Sequence, residues 1–236
     1  MFDKSAEFYD AIYSWKNYKD ESAKLHEWIQ RFKLSDGNSL LDVACGTGAH
    51  LAFLRDHYAV EGVDLDARML KIASYKLPEA SFHHGDMQTF DLGRQYDVVL
   101  CLFSSIGYVR TVDAMRTTIA NLARHCRPGG LVIVEPWFAP GEMDDQRAHG
   151  LYHDTASLKI ARMNHTTLTD DLSILHFHYL VATPGHVEHF TEDHTMGLFT
   201  REQYTQAFSN AGLDVTYDER GLMDRGLYIG VNPPVG

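Results

Sequence analysis

Leu40-Leu41-Asp42-Val43-Ala44-Cys45-Gly46-Thr47-Gly48 is the stretch on which the fold of this chain turns. An apolar pair running into an acidic residue reads as a buried strand. The small residues after it make a tight turn, and a helix begins near His50-Leu51. Glycine in such a turn lets the backbone pass close to a ligand, because no Cβ stands in the way. No Gly-Lys-Ser/Thr follows, so this is not a phosphate loop. Ala44 takes the first glycine position of G-x-G-x-x-G, and Ala49 and His50 follow Gly48, so the dinucleotide fingerprint is incomplete and a dehydrogenase is disfavoured.

Outward from this turn, strands and helices alternate. Leu40–Val43 is a strand and Ala49–His57 a helix; Val60–Asp64 is a strand and Asp66–Lys76 a helix. Phe82–His84 and Tyr96–Leu102 are strands, Thr111–Cys126 is a helix, Arg127-Pro128-Gly129-Gly130 a turn, and Leu131–Glu135 a continuous apolar strand. Alternation of this kind predicts a doubly wound α/β sandwich, Rossmann-like, with a parallel sheet covered on both faces. Upstream, Leu25, Trp28, Ile29 and Phe32 recur at helical spacing after a Tyr- and Trp-rich stretch, so residues 1–35 read as a helical cap.

The alternation breaks at Pro136. Residues 136–156 read as irregular loop, followed by β-type segments at Leu158–His165, Leu172–Thr183 and His186–Phe199. Thr200-Arg201-Glu202-Gln203 then starts a helix that Gly212 ends, and Leu213–Tyr217 and Leu227–Val231 are the last strands. The expected organisation is a single domain: cap 1–35, core 39–135, antiparallel insertion 136–199, and a C-terminal helix and strands at 200–236 that complete the sheet.

Composition narrows the function classes. The 236 residues carry a formal charge of −11 and no basic run, which argues against a polynucleotide substrate. Cys45, Cys101 and Cys126 form no C-x-x-C pair and read as reduced, buried residues. Met1-Phe2-Asp3-Lys4 is no apolar signal segment, and no run is long and apolar enough for a membrane span, so a cytoplasmic protein with no membrane partner is expected.

An acidic residue two positions before a small-x-Gly-x-Gly turn resembles motif I of the class I S-adenosylmethionine (SAM) methyltransferases. In open α/β sheets the ligand lies beyond the carboxyl ends of the strands. Asp42, Ala44, Gly46 and Gly48 then face the amino acid part of the cofactor. Asp64, ending the second strand, offers two acceptor oxygens to a ribose. Asp86 accepts from an adenine amino group, Met87 gives the ring a soft apolar contact, and Cys101 closes the cofactor set at the end of the fourth strand. Together with Gly62-Val63-Asp64, Gly85-Asp86-Met87 and Arg127-Pro128-Gly129-Gly130, the chain is further similar to the N-methyltransferases that dimethylate TDP-linked 3-amino deoxysugars in antibiotic biosynthesis. Phe103-Ser104-Ser105-Ile106-Gly107-Tyr108, Val134-Glu135-Pro136-Trp137 and Arg225-Gly226-Leu227 add to that likeness.

The resemblance implies SAM-dependent N-methylation of a small-molecule amine, in the first place a TDP-amino deoxysugar, and a homodimer. It assigns Tyr13 and His125 to the catalytic site, with Tyr9 and Tyr18 as rivals for the tyrosine. It assigns Arg225 to the pyrophosphate, with Arg162, Lys159 and Arg220 as weaker alternatives. Tyr9, Phe103, Ser105, Tyr108 and Trp137 are expected at the substrate, with Phe138 as a further aromatic wall.

Two rivals stand beside this reading: a methyltransferase for another amine, hydroxyl or carboxylate, and a non-catalytic SAM- or metal-binding protein. The second draws on His176, His178, His186, His189 and His194, which fall on two adjoining strand segments. Histidines on a hairpin can bind zinc. Methyl transfer to an amine needs no Lewis acid, and a half-exposed hairpin accounts for them more simply, so no metal is expected.

Overall fold

The computed structural model describes residues 4–234, so the outermost residues of the expected bounds at 1–35 and 200–236 lie outside the described residues. β1 (Ser39–Val43), β2 (Ala59–Asp64), β3 (Ser81–His84), β4 (Tyr96–Cys101) and β5 (Cys126–Val134) run parallel, and β10 (Asp214–Asp218) and β11 (Leu227–Val231) join antiparallel. The seven strands lie in the order β10-β11-β5-β4-β1-β2-β3. β1 pairs with β2 on one side and with β4 on the other, so the winding reverses beside β1 and opens a crevice at its carboxyl end.

Apolar spacing decides which helix face is covered. α2 (Tyr18–Phe32), capped by the Asn17 side chain, buries Leu25 and Ile29 against Leu40, Leu131 and Ile133 on one face of the sheet. α5 (Val112–Arg124), capped by Thr111, and α6 (Arg201–Asn210), capped through a Thr200–Gln203 box, cover the other face with Met115, Ile119, Leu122 and Phe208. α4 (Ala67–Lys76) starts at the Asp66 cap.

The second sheet comprises β6 (His149–Asp154), β7 (Lys159–Leu168), β8 (Leu172–Thr183) and β9 (His186–Gly197), all antiparallel. Its inner face, with Ile160, Phe177, Tyr179, Val181 and Phe190, packs on Ile12, the last residue of the short helix α1 (Tyr9–Ile12). On β9, Met196 also presses on Gly107, where an added Cβ would stand 2.8 Å from its Cε. Cap and insertion thus form one roof over the carboxyl end of the parallel sheet.

The structure departs from the sequence expectations in three places. The helix after β1 is a single turn, α3 (Leu51–Leu54), because the chain turns to bury Tyr58, which bonds His26, before β2 starts at Ala59. Arg127–Gly130 is not a free turn but the bulged start of β5: the register slips between Tyr96 and Val98, and Gly129 binds Leu34, Ser35 and Asn232 through its backbone. β6 lies inside the expected loop; as an edge strand with only alternate residues half-covered, its polar composition hides the alternation.

Candidate active site

The motif turn is built from left-handed backbone. Ala44, Gly46 and Gly48 have φ of 60°, 54° and 73°, and Ala44 holds this conformation at a steric cost. The turn is fastened to β2: Cys45 N–H donates to the Val63 carbonyl (3.0 Å) and Gly46 N–H to Asp64 Oδ2 (2.7 Å). Asp64 Oδ1 accepts from Asp66 N–H at 2.8 Å. The Thr47 hydroxyl donates to Asp10 of α1 at 2.7 Å, and Asp10 also pairs with Lys76, so the cap is latched onto the turn.

Asp42 is 2% exposed, and its Oδ1 has no hydrogen-bond partner. Burial, and then the charge of Asp64, push its carboxyl up to about pKa 8. Burial likewise raises Asp64. Two neighbouring carboxylates held above their ordinary range, one with an unpartnered oxygen, suit a cationic ligand that restores their charge.

Three adjoining cavities meet at this point. One of about 750 Å³ is lined by Ala44, Gly46, Asp64, Asp86, Met87 and Tyr108, among others. A second, of about 350 Å³, is lined by Asp42, Ala44, Gly46, Thr47, His50 and Tyr18. A third, of about 560 Å³, lies under the insertion between Tyr13, Phe103, Trp137, Phe177, His194 and Arg225. Tyr9 and Ser105 line all three, and Tyr108 lines the first and third. A ligand held in the first two would therefore face one that enters the third under the insertion.

The third cavity combines aromatic walls with a cation. Tyr13 stands edge-on to Phe103 at 5.0 Å between ring centres and 4.7 Å from Tyr9. Phe103 and Ser104 are both left-handed, at φ of 51° and 59°. They are held there by Phe103 N–H to Glu135 (2.7 Å) and the Ser104 hydroxyl to the Pro136 carbonyl (2.7 Å). Arg225 donates to Glu135 at 3.3 Å and lies over Trp137 and Phe138, while its buried Nε has no partner. Arg162 donates to the Tyr13 hydroxyl at 3.2 Å and stacks on Tyr13 and Phe177. Lys159 and Arg220 are exposed and line none of the three cavities.

Three expected site residues are elsewhere. His125 caps α5 and precedes β5, at the amino end of the sheet, about 17 Å along β4 from the crevice. Its Nδ1 donates to the Asn121 carbonyl (2.9 Å), its Nε2 accepts from Leu92 N–H (3.2 Å), and the ring stacks on Phe90. Burial lowers its pKa, so it is a neutral structural residue with both nitrogens in use. Cys101 is fully buried in the core cluster with Val134, Phe199 and Tyr204, and burial keeps its thiol protonated. Gly48 shapes the turn but backs onto Leu77 and Ala73 rather than the cavities.

Sequence reading gave no role to Glu135, Phe177 or, in this cavity, His194. The signal for His194 was the alternation Phe190-x-Glu192-x-His194-x-Met196, which puts it on the inner face of β9. His176, His178 and His189 lie on the outer face, where His178 and His189 stack and His176 pairs with Asp193 (2.8 Å). Among the described residues, no three His, Cys, Asp or Glu side chains converge as a metal site, and no helix is long and apolar enough to cross a membrane. All three cysteines are free and buried.

Comparison with known proteins is consistent with this geometry. Residues 40–130 match the family described as a methyltransferase domain. The chain is 40% identical over 229 residues to dTDP-4-amino-2,3,4,6-tetradeoxy-D-glucose N,N-dimethyltransferase of Saccharopolyspora spinosa, covering 96% of this chain and 92% of the relative. It is 39% identical over 230 residues to dTDP-3-amino-3,6-dideoxy-alpha-D-glucopyranose N,N-dimethyltransferase of Streptomyces fradiae, covering 96% and 90%. The crystal structure of Streptomyces venezuelae DesVI superposes with a TM-score of 0.91 at 35% identity over the whole of both chains. SAM-bound CalS10, an amino pentose methyltransferase from Micromonospora echinaspora, gives 0.86 at 33% identity and 98% coverage of each.

Proposed function

This chain belongs to the class I SAM-dependent methyltransferases, beside the TDP-amino-deoxysugar N,N-dimethyltransferases, and from that premise we propose that it methylates the amino group of a nucleotide-linked amino deoxysugar. The observation that carries the sugar reading is the third cavity, which opens onto the cofactor cavities at Tyr9, Ser105 and Tyr108 and has Arg225 with an unpartnered guanidinium nitrogen in its wall. A pyrophosphate needs such a cation in an acidic protein, and aromatic side chains suit a deoxysugar and a base. The relatives' amines lie at C3 in some cases and C4 in another, so the ring position is left to experiment.

Bound SAM supplies a methyl group activated by the sulfonium beside it. Asp42 and the turn Ala44–Gly46 would hold its amino acid end, Asp64 its ribose, and Asp86 and Met87 its adenine. Tyr9, Tyr13 and Phe103 close the reaction site against water and align the amine with the methyl group. Displacement of a neutral thioether needs no acid for the leaving group, so position and desolvation supply most of the acceleration. Cap, core, insertion and C-terminal segment act together as one domain. A second copy of the chain would cover the outer face of the insertion, where Tyr152, Met163, Leu180 and Val187 are 50–69% exposed.

The deciding experiment incubates the protein with SAM and a panel of TDP-3-amino and TDP-4-amino deoxysugars, following S-adenosylhomocysteine and product mass. A product heavier by one or two methyl groups supports the reading and counts the transfers. SAM binding without methylation of any sugar overturns the substrate and points to another small-molecule acceptor.

A further inference from the structure

A buried ionisable cluster in the wall of the acceptor cavity has no part in the chemistry described so far. His194 is 4% exposed, Glu192 8% and Ser5 0%. Tyr108 Oη lies 2.6 Å from His194 Nδ1, and His194 Nε2 lies 3.5 Å from Glu192 Oε2. Glu192 also accepts from the Ser5 backbone N–H (2.9 Å) and the Ser5 hydroxyl (2.5 Å). A carboxylate accepting two hydrogen bonds has no proton to donate, so the consistent arrangement is a neutral ring protonated on Nε2. Tyr108 O–H then donates to Nδ1, and Nε2–H points at Glu192.

We propose that Tyr108, His194 and Glu192 form a relay that carries the acceptor amine's proton out of the reaction site. It rests on the acceptor being an amine presented in the third cavity. As the N–C bond forms, the S–C bond breaks and sulfur keeps the electron pair as a neutral thioether. The nitrogen is left with a positive charge and a proton to lose. That proton passes to Tyr108 Oη while the Tyr108 proton passes to His194 Nδ1, and the resulting imidazolium lies against Glu192. Solvent takes the proton when product leaves. The same transfer restores the lone pair of a monomethylated amine, which a second methylation requires.

Position and surroundings favour a relay over a plain packing cluster. Tyr108 lines both the first and the third cavity, so it stands in the wall where cofactor and acceptor meet, with its hydroxyl on His194. Burial first, then Tyr13, Tyr179 and Glu192, raise the Tyr108 hydroxyl well above its ordinary range, opposed by Arg162. A phenolate is therefore costly, and Tyr108 hands a proton on rather than staying ionised. The Phe177 ring, 5.1 Å from His194, shields the pair from water on the insertion side.

The test uses Tyr108→Phe, His194→Gln and Glu192→Gln, with the wild-type enzyme and a TDP-amino sugar as reference. Removing a positioned base costs 10²–10⁴-fold in typical cases. The expected result is a kcat about 100-fold lower for Tyr108→Phe and His194→Gln near pH 7, with KM for the sugar changed less than about threefold. Monomethyl product accumulates in His194→Gln, because the monomethylated amine is no longer relieved of its proton. SAM affinity and unfolding temperature establish that each variant is folded; if His194→Gln is not, Tyr108→Phe decides. Folded variants that keep wild-type kcat and product ratio overturn the relay. Absence of wild-type turnover on every amino sugar overturns the acceptor reading first, and the relay with it.

Discussion

Replacing Asp42 by Asn tests whether the buried carboxylate holds the cationic end of the cofactor. With a pKa of about 8, the carboxyl of SAM-free protein is roughly nine-tenths protonated at pH 7. A bound ammonium needs it ionised, and releasing the proton at pH 7 costs about 1.4 kcal/mol, or roughly a factor of ten in affinity. Titration calorimetry in two buffers of different ionisation enthalpy reads this directly. Wild-type protein should release roughly 0.9 proton from this carboxyl per SAM bound at pH 7, less about 0.1 taken up by the cofactor's own α-amino group. Asp42→Asn abolishes that release and removes a charge-assisted hydrogen bond worth roughly 1.5–3 kcal/mol, weakening SAM about 10- to 150-fold near pH 8. Proton-neutral binding by the wild type, or an Asp42→Asn protein that binds SAM as tightly, would refute the assignment.

The same carboxyl makes a stability prediction of definite sign. Its folded pKa lies above the unfolded value, so the folded state binds the extra proton and stability falls as pH rises from about 4 through 8, by up to about 1.4 kcal/mol per unit. Urea titrations of the SAM-free protein should show Asp42→Asn gaining on the wild type across that range, and a constant difference contradicts it. Arg225→Met should raise KM for a nucleotide-linked sugar about 10- to 150-fold, from the loss of about 1.5–3 kcal/mol of charged hydrogen bonding, with SAM affinity unchanged. His125→Ala should leave kcat within about twofold yet cost roughly 1–3 kcal/mol of stability, because it strands the Leu92 N–H; a large kcat effect at full stability would return His125 to the chemistry. Asp10→Ala should unlatch the cap and speed SAM dissociation several-fold in stopped-flow, corresponding to about 1 kcal/mol for its bonds to Thr47 and Lys76.

The parallel sheet and its helices were legible because their signals are local. A strand such as Val98–Cys101 buries both faces and reads as an apolar run, and α2 shows its covered stripe at i, i+3, i+4 and i+7. Strong turn chemistry misled in one case: Pro128-Gly129-Gly130 looks like a loop, yet the Gly129 carbonyl accepts from Ser35 N–H and its N–H donates to the Asn232 carbonyl, and these partners, distant in sequence, hold Gly129 inside the sheet. β6 stayed hidden because an edge strand half-covered by its neighbours needs no apolar run.

By itself the sequence determined the methyltransferase core and its cofactor. An acidic strand end followed by a small-residue turn, with further carboxylates at successive strand ends, is a pattern written in adjacent residues. Only tertiary structure decided which titratable groups share a cavity. His125 and His194 are both histidines beside aromatic residues, but one closes a helix at the amino end of the sheet and the other faces inward from β9. Cys101 and Tyr108 lie close in sequence, yet strand parity buries the first in the core while the short helical turn after Ser104 brings the second to the cavity. The third cavity is assembled from Tyr13, Phe103, Trp137, His194 and Arg225, residues spread along most of the chain. Their convergence depends on how cap and insertion pack together over the sheet, which no local pattern encodes.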